Sequence, residues 1–299
     1  MPRVDVEFPA DDVTLRGWFY PAEGVVSPAP VVVMVHGLTA VKEMHLDDYA
    51  ECFSRAGLNV LAYDHRNFGA SDGAPRQDID PITQARDLRH AITYVTGRED
   101  VDPDRVGIWG SSHGGGLVLS VAAVDHRVRA VVAQVPFISG SGQITRLVRP
   151  DFLPMMRANL DGERRNLYHG GEPTLMPAVD ADPMGSALMA STEAWEFFTK
   201  AAQDRAPSWR NEVTVRSLER IAEFEPGDGI HRISPSPLLM IVADQDISAY
   251  AELAFEAYER ARAPKELVVL RCGHFDVYTG AAFEASSKAA CEHFVRALA

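Results

Sequence analysis

Two serines stand between an apolar run and a cluster of glycines in "VGIWGSSHGGG", residues 106–116. A serine hydroxyl can attack a carbonyl carbon once a base takes its proton. The glycines choose between the two serines. Gly110 and Gly114 lie two positions either side of Ser112, so G-x-S-x-G is centred on Ser112 and not on Ser111. Ahead of it "RVGIW" reads as a buried strand, and behind it "GGGLVLSVAAV" reads as a tightly packed helix. Strand, serine, helix is a nucleophile elbow, a sharp turn in which flanking side chains would clash. The helix starting there aims backbone N–H groups and a positive dipole end at developing negative charge. Taken alone, G-x-S-x-G also recurs by chance. A phosphate-binding reading of the glycines lacks both G-K-[ST] and a G-x-G-x-x-G after a strand.

The serine needs a base, and the base an orienting acid. His274, in "GHFD", is the last histidine before the closing helix and follows the strand "LVVLRC". That puts it on a loop at the sheet end where the elbow opens. His113 adjoins Ser112, where its ring is badly placed to reach the hydroxyl. Its backbone N–H is instead a candidate oxyanion donor. His36, in "VHGLT", reads as structural, ordering a loop whose Leu38 N–H is the second candidate donor, with Gly37 and Thr39 as alternatives. The acid has two candidates in "ADQD", Asp244 and Asp246. Asp246 has room to swing toward the His274 loop. Asp244 adjoins the strand and is expected to bond nearby backbone N–H groups. Ser111 is expected to be dispensable.

These residues need strands and helices to position them. "VDVEF" and "VTLRGWFY", separated by "PADD", read as an antiparallel hairpin. "APVVVMVHG", "LNVLAYDHR", "RVGIW" and "RVRAVVAQVPF" read as buried strands, with "VDPDR" a turn before the third. "HLDDYAECFSRAG" and "DPITQARDLRHAITYV" have helical spacing, the first ending in Gly57, the second opening on an Asp cap and an early proline. Alternation of this kind implies a parallel sheet with helices on both faces, and ligands at the C-terminal ends of strands. From Ser139 to Ile233 the rhythm breaks and no convincing strand remains. The alternation then resumes with "SPLLMIVADQD", "AYAELAFEAYERAR", "KELVVLRC" and a closing helix. The expected organisation is a core in two parts, 1–138 and 234–299, interrupted by a helical insertion, 139–233. Trp195, Met155 and Met156, with Phe197 and Phe198, are candidates to line a substrate pocket. The competing reading makes them the insertion's own core. Lys42 and Glu43 read as a surface ion pair, and Asp64 and Arg66 as braces of a loop.

Bulk properties narrow the partners. The formal charge is −13 and there is no run of Lys or Arg, which argues against nucleic acid and anionic membranes. The N-terminal stretch has no apolar signal region, and no apolar run approaches a membrane span. Three cysteines, Cys52, Cys272 and Cys291, are odd in number and lack C-x-x-C spacing. They read as reduced thiols of a cytoplasmic protein.

Six motifs in order, "VHGLTAVKEMHL", "LAYDHRNFGASDGAPRQDIDP", "VGIWGSSHGGG", "AVVAQVPFISG", "ADQD" and "GHFDVY", resemble those of α/β-hydrolase-fold serine hydrolases over nearly the full length. Within that group the chain is similar to the dienelactone-hydrolase-like branch, which includes bacterial esterases and fungal polyketide transferases. The resemblance implies an α/β-hydrolase fold: a mostly parallel central sheet flanked by helices, with a helical cap insertion. It implies Ser112, Asp246 and His274 as the triad. The family usually has Gly where Ala243 stands, and the spacing from that position selects Asp246. The implied activity is cleavage of a carboxylic ester or thioester of a small acyl substrate through an acyl-enzyme, with no cofactor and no metal. The alternative is acyl transfer or cyclisation of a polyketide-like thioester. A non-catalytic ligand receptor on the same fold is disfavoured by the intact triad. A homodimer is compatible with the sequence.

Overall fold

Unbroken runs of β-branched residues form strands buried on both faces. Val31, Val32 and Val33 have no solvent exposure at all, nor do Val131 and Val132. The computed structural model describes residues 3–299. It opens with β1 (Val4–Ala10), β2 (Val13–Tyr20), β3 (Ala29–Val35), α1 (Leu46–Arg55), β4 (Asn59–Tyr63), α2 (Pro81–Thr96), β5 (Val101–Ser111), α3 (His113–Ala122) and β6 (Val128–Gln134). After an intervening segment it closes with β11 (Leu238–Ala243), α8 (Ala251–Arg260), β12 (Lys265–Leu270) and α9 (Gly280–Ala297).

The eight long strands form one sheet in the order β1-β2-β4-β3-β5-β6-β11-β12. Strand β2 is antiparallel to both neighbours, and all other pairs are parallel. The chain therefore winds from β3 outward to β4, then returns across β3 to β5. Loops leaving β3 and β5 diverge at that reversal, which is where open α/β sheets bind ligands. Helix caps follow the sequence cues. Asp80 accepts the Thr83 N–H at 3.1 Å, with Pro81 at the first helical position. Gly57 adopts φ 87° one residue past the α1 cap, a conformation glycine takes without strain.

The segment between β6 and β11 carries α4 (Gly140–Leu147), α5 (Leu153–Tyr168), α6 (Thr192–Asp204), α7 (Arg216–Glu223) and a 3-10 turn, Pro226–Arg232. It is not free of strands. The two-residue strands β7 (Leu175–Met176) and β10 (Val213–Thr214) pair with each other, as do β8 (Val179–Asp180) and β9 (Met189–Ala190). Such short pieces carry no periodicity, so sequence cannot reveal them. Two other boundaries differ from expectation. "VDPDR" is not a turn, because Val101 already pairs with Ala29 and β5 continues through a register shift. The first hairpin turns at Asp11–Asp12, with Pro9 and Ala10 still in β1. Among the described residues no helix is long and apolar enough to cross a membrane.

Candidate active site

Strand β5 ends at Ser111 and helix α3 begins at His113, so Ser112 alone makes the turn between them. It sits at φ 61°, ψ −121°, a strained conformation for a residue with a Cβ. Its surroundings over-determine it. The Ser112 N–H donates to Gln134 O at 2.9 Å, and Ser112 O accepts from Phe137 N–H at 2.9 Å. A Cβ added at Gly110 would collide with the Gly114 carbonyl, and one at Gly114 would lie 2.5 Å from Val35 O. Glycine at both positions lets strand, elbow and helix approach this closely.

His274 lies on the loop after β12, 3% exposed, and Asp246 on the loop after β11, 4% exposed. His274 Nε2 is 3.0 Å from Ser112 Oγ, and His274 Nδ1 is 2.6 Å from Asp246 Oδ2. A carboxylate accepts, so the imidazole proton belongs on Nδ1, which leaves Nε2 as an acceptor facing the hydroxyl. Asp246 Oδ1 accepts the N–H groups of Ser248 and Ala249 at 2.8 and 2.7 Å. Burial pushes the Asp246 carboxyl up. The charge and hydrogen bond of His274, with those two N–H groups, outweigh it and hold the carboxyl below the usual range. Asp244 is exposed. The backbone N–H groups expected to bond its carboxylate bond Asp246 instead, because that side chain points into the turn.

The loop after β3 passes close to Ser112: a Cβ on Gly37 would stand 3.3 Å from Ser112 Cβ. Leu38 lines the cavity beside Ser112. The N–H of His113, first in α3, has no carbonyl one turn earlier in the helix. His113's ring turns away from the hydroxyl, with Nε2 donating to Gln84 Oε1 at 2.8 Å. His36 Nδ1 donates to Gly37 O at 2.9 Å, and its Nε2 accepts the His65 N–H at 3.1 Å. These three histidines pack beneath the elbow, ring centroids 4.2 Å apart for His36 and His65 and 6.3 Å for His65 and His113. Burial pushes His36 and His113 down to about 3 and His65 well below the ordinary histidine value. All three are neutral structural groups.

The reading of Lys42 as a surface residue fails. Its side chain is 6% exposed and its Nζ donates to Asp64 Oδ2 at 2.7 Å and to Glu43 Oε1 at 2.9 Å. Burial alone would lower its pKa, but these carboxylates hold it above the ordinary lysine value. Asp64 also accepts the N–H groups of Lys42 and Ala70, at 2.8 and 2.9 Å, so it ties the β3 loop to the β4 loop. Arg66 pairs with Asp87 of α2 at 2.6 Å. Cys272, near His274, is pushed up to about 11 by burial and by the surrounding carboxylates, so it is a protonated thiol.

A cavity of about 20 Å³, room for one water, opens beside Ser112 Oγ. Its walls include Leu38, Met44, Met189, Phe197, Phe198, Phe275 and Tyr278. Trp195, Met155 and Met156 are not among them. Ala194, Phe198 and Ala201 form the buried stripe of α6, and Trp195 lies off it, 38% exposed. Met155 is 55% exposed at the start of α5. Of the aromatic candidates, Phe197 and Phe198 alone reach the cavity. Phe197 stacks on Phe275 at 4.7 Å and contacts Tyr278 at 5.0 Å between centroids. Trp209, stacked on Phe198, donates from Nε1 to Thr39 O at 3.1 Å. Met44, Met189, Phe275 and Tyr278 were not foreseen. The aromatics flanking His274 in "GHFDVY" were the available signal for the last two.

The family model described as "alpha/beta hydrolase fold" matches residues 30–281. The quorum-quenching protein AidA of Acinetobacter baumannii (strain MDR-ZJ06) is 34% identical over 283 residues, spanning 94% of this chain and 90% of that protein. A thiohydrolase of Eupenicillium brefeldianum is 30% identical over 288 residues, 95% of this chain and 91% of that one. The crystal structure of the α/β hydrolase GrgF from Penicillium sp. sh18 superposes with a TM-score of 0.86 at 30% identity. It covers 100% of this chain and 99% of that one.

Proposed function

The chain belongs to the α/β-hydrolase-fold family, and from that premise we propose a serine hydrolase that cleaves a carboxylic ester or thioester through an acyl-enzyme. The observation that carries this is the unbroken relay from Asp246 through His274 to Ser112, at 2.6 and 3.0 Å. Ser112 Oγ attacks the carbonyl carbon as His274 Nε2 takes its proton. The oxyanion that forms faces the N–H groups of His113 and Leu38. His274 then gives the proton to the leaving oxygen or sulfur, and the acyl group stays on Ser112. Water, deprotonated by the same imidazole, releases the acid and restores the serine. Asp246 remains ionised throughout, holding the imidazole tautomer and stabilising the imidazolium. Residues 139–233 act as the cap over this site, and acyl selectivity resides in α6. Incubation with a fluorophosphonate followed by peptide mass spectrometry tests the reading. The adduct is expected on Ser112 and absent from Ser112→Ala, whose ester turnover falls by about 10⁵-fold. An adduct elsewhere, or substantial turnover by Ser112→Ala, overturns it.

A second reading, transfer of the acyl group to an acceptor other than water, draws on the aromatic walls of the cavity and its room for about one water. Thiohydrolase and polyketide transferase are both names carried by relatives of this length. Partitioning of a common acyl-enzyme between water and added alcohols separates the two. A product ratio that tracks bulk water content favours hydrolysis, and ester as the dominant product in dilute alcohol favours transfer.

A further inference from the structure

Sequence makes Ser111 the idle neighbour of the nucleophile. Its environment is not that of an idle residue. Ser111 is fully buried, and its Oγ lies 2.7 Å from Tyr278 Oη. Gln134, on the adjacent strand β6, donates from Nε2 to the same Oγ at 3.2 Å. An amide N–H only donates, so it occupies one lone pair and leaves Ser111 and Tyr278 to share a hydrogen bond in which either hydroxyl can donate. Tyr278 ends the 3-10 turn Asp276–Tyr278, four residues after His274. Its neighbour Val277 is pinned as well: Tyr49 Oη donates to Val277 O at 2.6 Å. Burial pushes the Tyr278 hydroxyl above the ordinary tyrosine value despite its bond to Ser111. The hydroxyl therefore stays protonated at neutral pH.

Resting on the serine-hydrolase reading above, we propose that Ser111 and Tyr278 are positioning residues that form a strut between the nucleophile elbow and the turn carrying the base. The need for one follows from the geometry. Ser112 and His274 are 162 residues apart in the chain, on separate segments. Their mutual hydrogen bond breaks and re-forms in each half-reaction, so it cannot hold those segments in register. The Asp246 bond orients the imidazole, but it runs to the β11 loop and not to the elbow. The Ser111–Tyr278 bond joins the residue before the nucleophile to the turn just after the base, and neither hydroxyl changes state during turnover. A displacement of about 1 Å at such a site costs about 10²-fold in rate. A partial loosening of the turn is expected to cost about ten-fold.

The test uses Tyr278→Phe and Ser111→Ala with an activated acetyl ester and a fluorophosphonate. Tyr278→Phe is the mild variant, since the ring keeps its place and Ser111 keeps Gln134. Expected are a kcat and a rate of Ser112 phosphonylation both about ten-fold down, with KM within about two-fold of wild type. The double variant removes both hydroxyls, so it is expected to recover thermal stability relative to Ser111→Ala but no kcat. It should be no slower than the slower single variant, because one link is lost in all three. If Ser111→Ala fails to fold, Tyr278→Phe alone decides. Wild-type kcat and labelling rate in a folded Tyr278→Phe, or recovery of kcat by the double variant, overturns the strut while leaving the hydrolase reading intact. A wild-type protein that the phosphonate does not label at Ser112 overturns both.

Discussion

The elbow and the segment over residues 139–233 are built to opposite standards. Around the elbow, Val106, Ile108, Trp109, Leu117, Val118 and Leu119 have no exposure, and the backbone is locked from β3, β6 and α3 together. Helix α5, in the other segment, is 16 residues long and buries only Glu163. Phe197 and Phe198 are among the few side chains through which that segment reaches the cavity. Chemistry needs its groups held within a fraction of an ångström, which parallel strands supply. Selection among acyl groups needs only a wall, and a wall can be replaced without moving the nucleophile.

If the rigid part carries the chemistry, the largest losses come from changes that leave its backbone untouched. Asp246→Asn keeps shape and burial but cannot orient the imidazole as the carboxylate does. In serine proteases that defect costs about 10⁴-fold in turnover. A loss of about 10³- to 10⁴-fold is expected here, against less than about two-fold for Asp244→Asn, whose carboxylate is in solvent. Stopped-flow acylation on both purified variants reads the difference. A larger loss at Asp244 would move the acid and break the proposed relay.

The next contrast is in acid stability. His36, His65 and His113 all sit in the core beneath the elbow and are depressed by burial, two of them to about 3. His169 and His231, in the 139–233 segment, are exposed. A histidine with a depressed folded pKa contributes stability above its unfolded value near 6.5, lost as pH falls below that toward the folded value. The unfolded chain takes up the protons that the folded core refuses. The full slope of about 1.4 kcal/mol per pH unit for each such group applies only below about pH 6.5, so three remove about 4 kcal/mol in all between about pH 7.5 and about pH 5.5. Urea unfolding at the two pH values measures this. An unchanged midpoint would mean that the core admits the protons.

The same contrast explains what could be read from sequence. The elbow was legible because its constraints are local: two glycines at fixed offsets, a strand before, a helix after. The order of strands and helices was legible from periodicity, and Asp80 and Gly57 marked helix ends by their own chemistry. The burial of Lys42 was not, because its partner Asp64 is 22 residues away on the loop after β4, and which loops lie side by side at a sheet end is not written in spacing. Ser111 looked dispensable for the same reason, since Tyr278 reaches it only in the fold. In α6 the aromatic residues Trp195, Phe197 and Phe198 were visible as pocket candidates. Which of them would meet Ser112 depends on how the helix docks on the β3 and His274 loops, and composition carries no trace of that.

The smallest expected effect tests the docking of α6 directly. Phe197 lies between Phe275 and Tyr278, and its ring helps reduce the space beside Ser112 to about 20 Å³. The ring therefore limits the room for an acyl chain on that side of the cavity. Phe197→Ala removes the ring from a half-buried position and leaves the relay of Asp246, His274 and Ser112 alone. The ratio of kcat/KM for an octanoyl ester to that for an acetyl ester is expected to rise about ten-fold, the scale on which apolar pockets discriminate by size. Trp195→Ala and Met155→Ala, which the sequence alone would have favoured as selectivity changes, are expected to alter that ratio by less than about two-fold, because both side chains face solvent. A shift as large in Trp195→Ala as in Phe197→Ala would mean that α6 presents another face to the acyl group, and the division between a fixed catalytic core and a replaceable wall would need redrawing around that face.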